Sequence, residues 1–250
     1  MAQTAPIVLI HGYPFDGSMW AAQADALRAA GHNVLAPDLP GFGAAPPPDA
    51  ECTIADYARC VHELIRQQAG GRAIVGGFSM GGYVVMELLR SYPEAVQAAM
   101  LIDTRPDPDT PEVRAGRLKS AELVEQAGVA SICEALLERQ VSAHAKPPLR
   151  QAVRNLMLRQ SPAGVRAALH AMMHRPDSTD LLATLKIPIL LVVGDRDAIT
   201  PPSVAFGMHN HMPHAMLVQI ADAGHLAPLE QPAAVTQAIM TFLGTLAPGA

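Results

Sequence analysis

The chain has 250 residues, of which 50% are hydrophobic and only 16% are charged. This composition supports a large buried core and excludes an intrinsically disordered protein. The net charge of −5 at neutral pH, without a basic stripe, argues against nucleic-acid binding.

The N-terminal region and the cysteines indicate the compartment. The apolar run at residues 7–10 is too short for a signal core or a membrane span, and no basic region precedes it. Cys52, Cys60 and Cys133 form neither a CxxC motif nor a paired framework, which is typical of free thiols in a reducing environment. We expect a cytoplasmic protein, a monomer or homodimer, with no nucleic-acid or membrane partner.

Apolar runs alternate with helical patterns over the first hundred residues. Continuous apolar runs at 7–10, 33–39, 73–75 and 98–103 predict strands that are buried on both faces. Helices are predicted between them, at 20–30 behind Ser18, at 54–69 behind Thr53, and at 83–90. This alternation predicts a parallel sheet with right-handed crossovers.

Between residues 105 and 186 the strand pattern gives way to helical periodicity. The segment has 12 Lys and Arg against 9 Asp and Glu, and it contains no Phe, Tyr or Trp. We interpret it as an insertion of roughly four helices over the sheet edge. The predicted organisation is therefore an α/β core of residues 1–104 and 187–250 with a helical cap at 105–186.

Strand patterns return at 187–193 and 215–220. Between them, Thr200 and Pro201 resemble the N-cap and first position of a helix. A closing helix is predicted from about residue 233 to residue 246.

The motif Gly77-x-Ser79-x-Gly81 lies between the strand at 73–75 and the helix at 83–90. This is the pattern of a nucleophile elbow, in which a strand turns at once into a helix and exposes the serine Oγ. The apex residue takes a strained backbone conformation, and side chains two positions away would collide, so glycine is needed there. An ordinary serine in a Gly-rich turn is the alternative.

A serine hydroxyl needs a base, and the base needs a third group to fix its tautomer. Loops that follow the strands offer Ser79, Asp197 and His225 in that chain order, which is the order of the α/β-hydrolases. Asp195 is interpreted as a turn-former. Asp103, which follows the strand beside the elbow, is a rival for the acid.

Four motifs together resemble the α/β-hydrolase superfamily: His11-Gly12-Tyr13-Pro14, the Ser79 elbow, Gly194-Asp195-Arg196-Asp197 and Gly224-His225. The run 11–20 resembles the small carboxylesterases, the cofactor-free haloperoxidases and perhydrolases, and the enol-lactone hydrolases. The resemblance implies Ser79 as nucleophile, His225 as base and Asp197 as its partner. It also implies an oxyanion hole formed by the backbone N–H groups of Tyr13 and Met80.

One departure from the family concerns the N-terminus. Relatives usually begin with an antiparallel hairpin, whereas only six residues precede Ile7 here. We therefore expect an α/β-hydrolase fold without that hairpin and with about six parallel strands.

Pocket and bracing residues complete the prediction. Trp20, Phe78, Met157 and Met172 are candidates for the pocket wall, with core packing as the alternative.

Three groups are expected to brace loops: His11, which supports the oxyanion loop, and the carboxylates of Asp38 and Glu230. His209, His211 and His214 are interpreted as a solvated loop rather than a metal cluster, and we expect neither a metal nor a cofactor.

The favoured function is hydrolysis of carboxylic esters of small to medium acyl chain through an acyl-serine intermediate. Enol-lactone hydrolysis and perhydrolase or haloperoxidase activity share the same three groups and stay open as alternatives. A ligand receptor on a hydrolase scaffold is the second class, although a receptor does not need Ser79, Asp197 and His225 together. Dehalogenases and epoxide hydrolases of this fold carry aspartate at the elbow, where this chain has serine.

Overall fold

A parallel sheet organises the chain in the computed structural model, which describes residues 5–48 and 52–246. The sheet has six strands in the order β2-β1-β3-β4-β5-β6, and all neighbouring pairs are parallel. The strands are β1 (Ile7–Ile10), β2 (Val34–Leu35), β3 (Ala73–Phe78), β4 (Val96–Ile102), β5 (Ile189–Gly194) and β6 (Met216–Ile220). The predicted six-stranded α/β fold is confirmed.

Helices connect the strands and cover both faces of the sheet. They are α1 (Ala21–Ala29), α2 (Ile54–Gln68), α3 (Met80–Ser91), α4 (Pro111–Ala127), α5 (Ala130–Gln140), α6 (Pro147–Leu158), α7 (Pro162–Met173), α8 (Thr179–Thr184), α9 (Pro202–His211), α10 (Ala227–Glu230) and α11 (Pro232–Thr245). Short 3-10 helices precede α1 at Gly17–Trp20 and follow α3 at Pro93–Ala95. None of the helices in the described ranges has both the length and the apolar character that a membrane span requires.

The strand predicted at 33–39 is much shorter than expected. Only Val34 and Leu35 pair with β1. Pro37 lacks a backbone N–H for a ladder, and the Asp38 carboxylate accepts hydrogen bonds from the N–H groups of Gly17 and Ala44. The segment therefore turns away from the sheet after two residues.

Of the three N-cap residues predicted from the sequence, the structure confirms one. Thr53 and Asp56 form a reciprocal capping box at the start of α2, as a Thr N-cap predicts. At the first helix, Asp16 rather than Ser18 is the cap, because its carboxylate accepts from the N–H of Ser18. Thr200 does not cap α9, which begins one residue later than predicted with Pro201 as N-cap.

Alternate strand residues fill the two layers of the core. Val8, Ile10 and Val75 face the layer that includes α2 and α3, whereas Ile7 and Leu9 face the layer that includes α1 and α11. Both faces of the sheet are thus covered, which explains why the strands are continuous apolar runs.

The segment 105–186 contains five helices, α4 to α8, where roughly four were predicted. Asp16, in the loop after β1, accepts hydrogen bonds from Arg159 Nε and Gln160 Nε2, both at 2.7 Å. Ser161 Oγ donates to the carbonyl of Gly41 at 2.9 Å. These contacts fix the junction of α6 and α7 onto loops of the sheet.

Candidate active site

Ser79 lies at a sharp turn between β3 and α3. Its backbone has φ 51° and ψ −113°, in the left-handed half of conformational space that a serine seldom adopts. The Ser79 N–H donates to the carbonyl of Ile102 at 2.9 Å, and its carbonyl accepts from Thr104 Oγ1 at 2.8 Å. Bonds to the neighbouring strand therefore stabilise the strained residue.

The two flanking glycines are required by contact distance. A Cβ on Gly77 would lie 2.2 Å from the carbonyl oxygen of Gly81. A Cβ on Gly81 would lie 2.4 Å from the carbonyl oxygen of Ile10. Both separations are impossible, in agreement with the steric reason for glycine at these positions.

The structure brings Ser79, His225 and Asp197 into one hydrogen-bonded chain. His225 Nε2 lies 2.8 Å from Ser79 Oγ, and His225 Nδ1 lies 2.8 Å from Asp197 Oδ2. Asp197 follows β5 and His225 follows β6, so the carboxyl ends of adjacent parallel strands place the two side chains side by side. A neutral imidazole that donates from Nδ1 presents an acceptor at Nε2 to the serine hydroxyl.

Asp197 is ionised although it is buried. Burial alone would raise the pKa of its carboxyl, but the charge and hydrogen bond of His225 and the hydrogen bonds from Thr200 keep that pKa below its ordinary value. Asp197 Oδ1 accepts from the N–H groups of Ile199 and Thr200, and Oδ2 accepts from Thr200 Oγ1 at 2.6 Å. Sequence reasoning missed this role of Thr200, for which the signal was a hydroxyl three residues after the acid.

Asp103, the rival acid, has other partners. Its Oδ1 accepts from the N–H of Gly194 at 2.8 Å. Burial, and next the charge of Asp197, raise the pKa of Asp103 well above its ordinary value, whereas the pKa of Asp197 is lowered. The hydrogen bonds therefore favour Asp197 as the partner of the imidazole.

The loops around the site are braced as the sequence predicts. His11 Nε2 accepts from the N–H of Leu39 at 2.9 Å, and His11 Nδ1 lies 2.9 Å from the carbonyl of Gly12. Burial lowers the pKa of His11 to about 4, so its ring is neutral at neutral pH. Glu230 accepts from the N–H of Gly224 through Oε1 and from that of Ser142 through Oε2. The loop of His225 is thereby tied to the end of α5.

A cavity of about 490 Å³ opens onto Ser79 and His225. Tyr13 lines it from the loop after β1, whereas α4, α5 and α7 supply most of the remaining wall. Met80, whose N–H is predicted to join the oxyanion hole, is the first residue of α3. Such an N–H has no partner within its own helix.

Only one of the four predicted pocket residues lies in the cavity wall. Met172 lines the cavity, and its Sδ lies 3.3 Å from Arg117 Nη1. Trp20, Phe78 and Met157 are fully buried in the core layer that includes α1 and α11, so their prediction as pocket residues is wrong.

Each of the three has a core partner. Phe78 packs against the imidazole of His225, with the two ring centroids 5.1 Å apart. Met157 packs on Cys133 between α6 and α5, with the two sulfurs 3.8 Å apart. Trp20 ends the 3-10 helix before α1 and is fully buried in the same core layer as Ile7 and Leu9 of β1.

The histidines at 209, 211 and 214 do not gather into a site. His209 and His211 are in the last turn of α9, and His214 Nε2 lies 3.3 Å from the carbonyl of Ile187. Across residues 5–48 and 52–246, no three His, Cys, Asp or Glu side chains are grouped as a metal ion would require.

The sheet order, the elbow and the Ser79–His225–Asp197 chain define the class of α/β-hydrolases. Residues 5–232 match the sequence profile of the alpha/beta hydrolase fold family. The chain belongs to this family.

Similar proteins include several esterases. A thermophilic esterase from Thermogutta terrifontis, solved with malate bound, is 38% identical, with a TM-score of 0.93 over 98% of this chain and 91% of that one. A pimeloyl-[acyl-carrier protein] methyl ester esterase from Nitrosomonas europaea is 30% identical over 90% of both chains. The enol-lactonase of Burkholderia xenovorans LB400 is 25% identical, with a TM-score of 0.87 over 96% of this chain and 92% of that one.

Proposed function

We propose that the protein is a serine esterase that hydrolyses carboxylic esters of small to medium acyl chain through an acyl-serine intermediate. The single observation that carries this proposal is the hydrogen-bonded chain of the three side chains. His225 Nε2 lies 2.8 Å from Ser79 Oγ, and Nδ1 of the same ring lies 2.8 Å from Asp197 Oδ2. In this role Ser79 is the nucleophile, His225 the base and Asp197 the group that orients the base.

The first half-reaction forms the acyl-enzyme. Ser79 Oγ attacks the ester carbonyl while its proton moves to His225 Nε2, and the carbonyl oxygen takes up the negative charge. As the tetrahedral intermediate collapses, His225 returns the proton to the leaving alkoxide, which departs as the alcohol. Ionised Asp197 stabilises the imidazolium that exists between these steps.

The second half-reaction releases the acid. Water loses a proton to His225 Nε2 and attacks the acyl carbon, and His225 then protonates Ser79 Oγ as the carboxylic acid leaves. In both halves, the N–H groups of Tyr13 and Met80 would hold the oxyanion, which is typically worth 10²–10³ in kcat for each donor.

The segment 105–186 serves as a cap over this chemistry. Its helices α4, α5 and α7 supply cavity-wall residues, among them Leu136, Leu169 and Met172. A wall of Leu and Met side chains offers dispersion contacts to an acyl chain, and no aromatic ring from the cap is available for stacking. The cap side of the wall therefore suits aliphatic acyl groups, whereas the aromatic rings of the cavity wall, Tyr13 and Tyr83, come from the core.

Lactone hydrolysis is the second candidate, supported by the likeness to the Burkholderia xenovorans enol-lactonase. It would use the same steps, except that the alcohol product stays joined to the acid. A receptor is disfavoured, because a binding protein has no need of a serine, an imidazole and an ionised carboxylate in one hydrogen-bonded chain.

Covalent labelling tests the proposal. The purified protein is treated with a fluorophosphonate, which phosphonylates only activated serines, and the labelled peptide is identified by mass spectrometry. We expect one label per chain, on Ser79, and none after His225→Gln. Absence of label on Ser79, or equal labelling of the His225→Gln variant, would overturn the assignment.

A further inference from the structure

Tyr13 lines the cavity and carries a buried hydroxyl. The residue is only 7% exposed, and among the described residues its Oη has no hydrogen-bond partner. Buried hydroxyl groups in folded proteins are almost always hydrogen-bonded. This O–H therefore lacks the acceptor that a buried hydroxyl needs, which a ligand bound in the cavity would supply.

Arg117 brings a cation to the same part of the cavity. Its Nε and Nη2 donate to Asp109, whereas the contact of Nη1 is with Met172 Sδ, a weak acceptor, at 3.3 Å. Tyr13 and Arg117 both line this cavity. Burial raises the pKa of the Tyr13 phenol, and the charge of Arg117 acts on it in the opposite sense. The cavity wall thus holds both a phenol O–H and a guanidinium.

The charged groups of Asp109, Arg117 and Arg175 form a cluster with a net positive charge. Asp109 is the carboxylate partner of both Arg117 and Arg175, and all three groups are largely buried. The Arg175 guanidinium also lies over the ring of Tyr83, 4.3 Å from its centroid. Two cations share one anion, so the cluster carries one positive charge in a region of reduced dielectric, where a further anion is favoured.

The remaining polar groups of the cavity differ from this cluster. Arg139 lines the cavity from an exposed position, and none of the ion pairs found among the described residues includes it. Glu112 is also exposed, at the start of α4. Gln140 Oε1, buried and unpartnered within the described chain, can only accept a hydrogen bond, so it suits a water or hydroxyl donor.

We propose that Tyr13 Oη and Arg117 Nη1 form a carboxylate subsite, so that the preferred substrates are esters that carry a second, free carboxylate. The proposal rests on the ester hydrolysis proposed above and names its substrate class. The carboxylate accepts from the phenol O–H and the guanidinium while the ester carbonyl lies at Ser79. Leu136, Leu169 and the other apolar wall residues contact the methylenes between the two ends.

The first experiment compares esters of equal length. Monoethyl adipate carries the carboxylate on the acid side, and its neutral counterpart is ethyl hexanoate. Omega-acetoxyhexanoate carries the carboxylate on the alcohol side, and its neutral counterpart is hexyl acetate. We expect kcat/KM for one of the two anionic esters to exceed that for its neutral counterpart by about tenfold to hundredfold, the range of a charge-assisted hydrogen bond. The preferred anion shows which side of the ester enters the subsite. Anionic esters hydrolysed no faster than the neutral ones would overturn the proposal.

Variants then locate the anion. Arg117→Gln and Tyr13→Phe are each expected to lower the ratio of kcat/KM for the preferred anionic ester to that for its neutral counterpart by at least about fivefold. Arg139→Gln removes the other cavity-lining guanidinium and is the matched control, with the ratio unchanged. Because Tyr13→Phe removes only one unpartnered oxygen, it keeps the test open if Arg117→Gln fails to fold. Loss of the ratio in Arg139→Gln alone would place the anion at the exposed position and contradict the subsite.

The two proposals fail differently. If the neutral esters are hydrolysed and lose that hydrolysis in Ser79→Ala, but the anionic esters gain nothing, only the subsite is wrong. If none of the four esters is hydrolysed, the esterase proposal itself is wrong.

Discussion

Asp197 Oδ2 lies 2.8 Å from His225 Nδ1, whereas Asp103, the other buried carboxyl at this edge of the sheet, bonds the backbone of Gly194 instead. The two acids differ in the direction of their pKa shifts as well as in partner. The pKa of Asp197 is lowered, whereas that of Asp103 is raised, first by burial and then by the charge of Asp197. These differences support Asp197 as the partner of the imidazole in the proposed mechanism.

We expect Asp197→Asn to lower kcat for a neutral ester by about 10³–10⁴-fold, because the amide favours the wrong tautomer of His225. Asp103→Asn is the matched control, and we expect less than about a threefold loss. Steady-state kinetics at pH 8 measures both. A larger loss in Asp103→Asn than in Asp197→Asn would reverse the assignment.

Stability provides an independent check on Asp103. A carboxyl whose folded pKa is raised above its unfolded value of ~3.9 destabilises the fold as pH rises above that value. Asp103→Asn removes this effect and keeps an oxygen for the N–H of Gly194. We expect the melting temperature of the variant to gain on that of the wild type between pH 4 and pH 7. A constant difference across that range would show that folding does not raise the pKa of Asp103.

His11 should make the fold sensitive to mild acid. Burial lowers its pKa to about 4, and a proton on Nε2 would remove the acceptor of the Leu39 N–H. Between the unfolded pKa of ~6.5 and the folded pKa, the unfolded chain binds more protons, so stability falls as pH falls. The loss approaches about 3 kcal/mol near pH 4.

Denaturant unfolding of the wild type and of His11→Gln at pH 7 and pH 5 measures this contribution. The glutamine amide oxygen can still accept from Leu39 but does not titrate. We expect the variant to lose less stability between the two pH values. An equal loss in both proteins would assign the acid sensitivity to other groups.

Asp16 should hold the segment 105–186 onto the sheet. Its carboxylate is buried and accepts from Arg159 and Gln160, so Asp16→Asn leaves these donors poorly matched. We expect a loss of about 2–4 kcal/mol in the free energy of unfolding. Asp25→Asn is the control, since Asp25 pairs with Arg28 at 3.5 Å on the surface with 78% of its side chain exposed. A change within about 0.5 kcal/mol is expected there. Equal effects of the two substitutions would contradict the anchoring role.

Acyl length should reveal the size of the cavity. We expect kcat/KM for simple p-nitrophenyl esters to rise by up to roughly fourfold for each methylene, from ~0.8 kcal/mol of buried CH₂. The rise should stop before about twelve carbons, when the cavity is full. Leu136→Phe narrows the wall and should shorten the preferred chain, whereas Leu118→Phe, at an exposed position on α4, should not. A rise that continues past about twelve carbons would indicate a lipase.

Much of the fold could be predicted because it depends on local patterns. The apolar runs of β1, β3 and β5 are buried on both faces, and glycine at 77 avoids a clash with the carbonyl of Gly81, four residues away. The proximity of the loops that carry Ser79, Asp197 and His225 follows from one topological rule, that parallel strands end at the same edge, and their chain order is that of the α/β-hydrolases.

The cavity wall could not be predicted in the same way. Phe78 and Met157 are apolar, and an apolar side chain is equally compatible with the core and with a cavity wall. Which of the two it joins depends on packing between elements that are distant in the sequence. The same holds for Asp109, Arg117 and Arg175, which form one ion cluster although Arg175 lies far along the chain from Asp109. No periodicity in the sequence marks such a contact.

Ser79→Ala is the most direct test of the proposed chemistry, because the flanking glycines accommodate the strain at the elbow and, among the described residues, the Oγ has no hydrogen-bond partner other than His225. The measurement is kcat for a p-nitrophenyl ester of short acyl chain, with the melting temperature as a check that the variant is folded. We expect a folded protein whose kcat is lower by about 10⁴–10⁶-fold. A folded Ser79→Ala variant that keeps more than a few per cent of the wild-type kcat would contradict it.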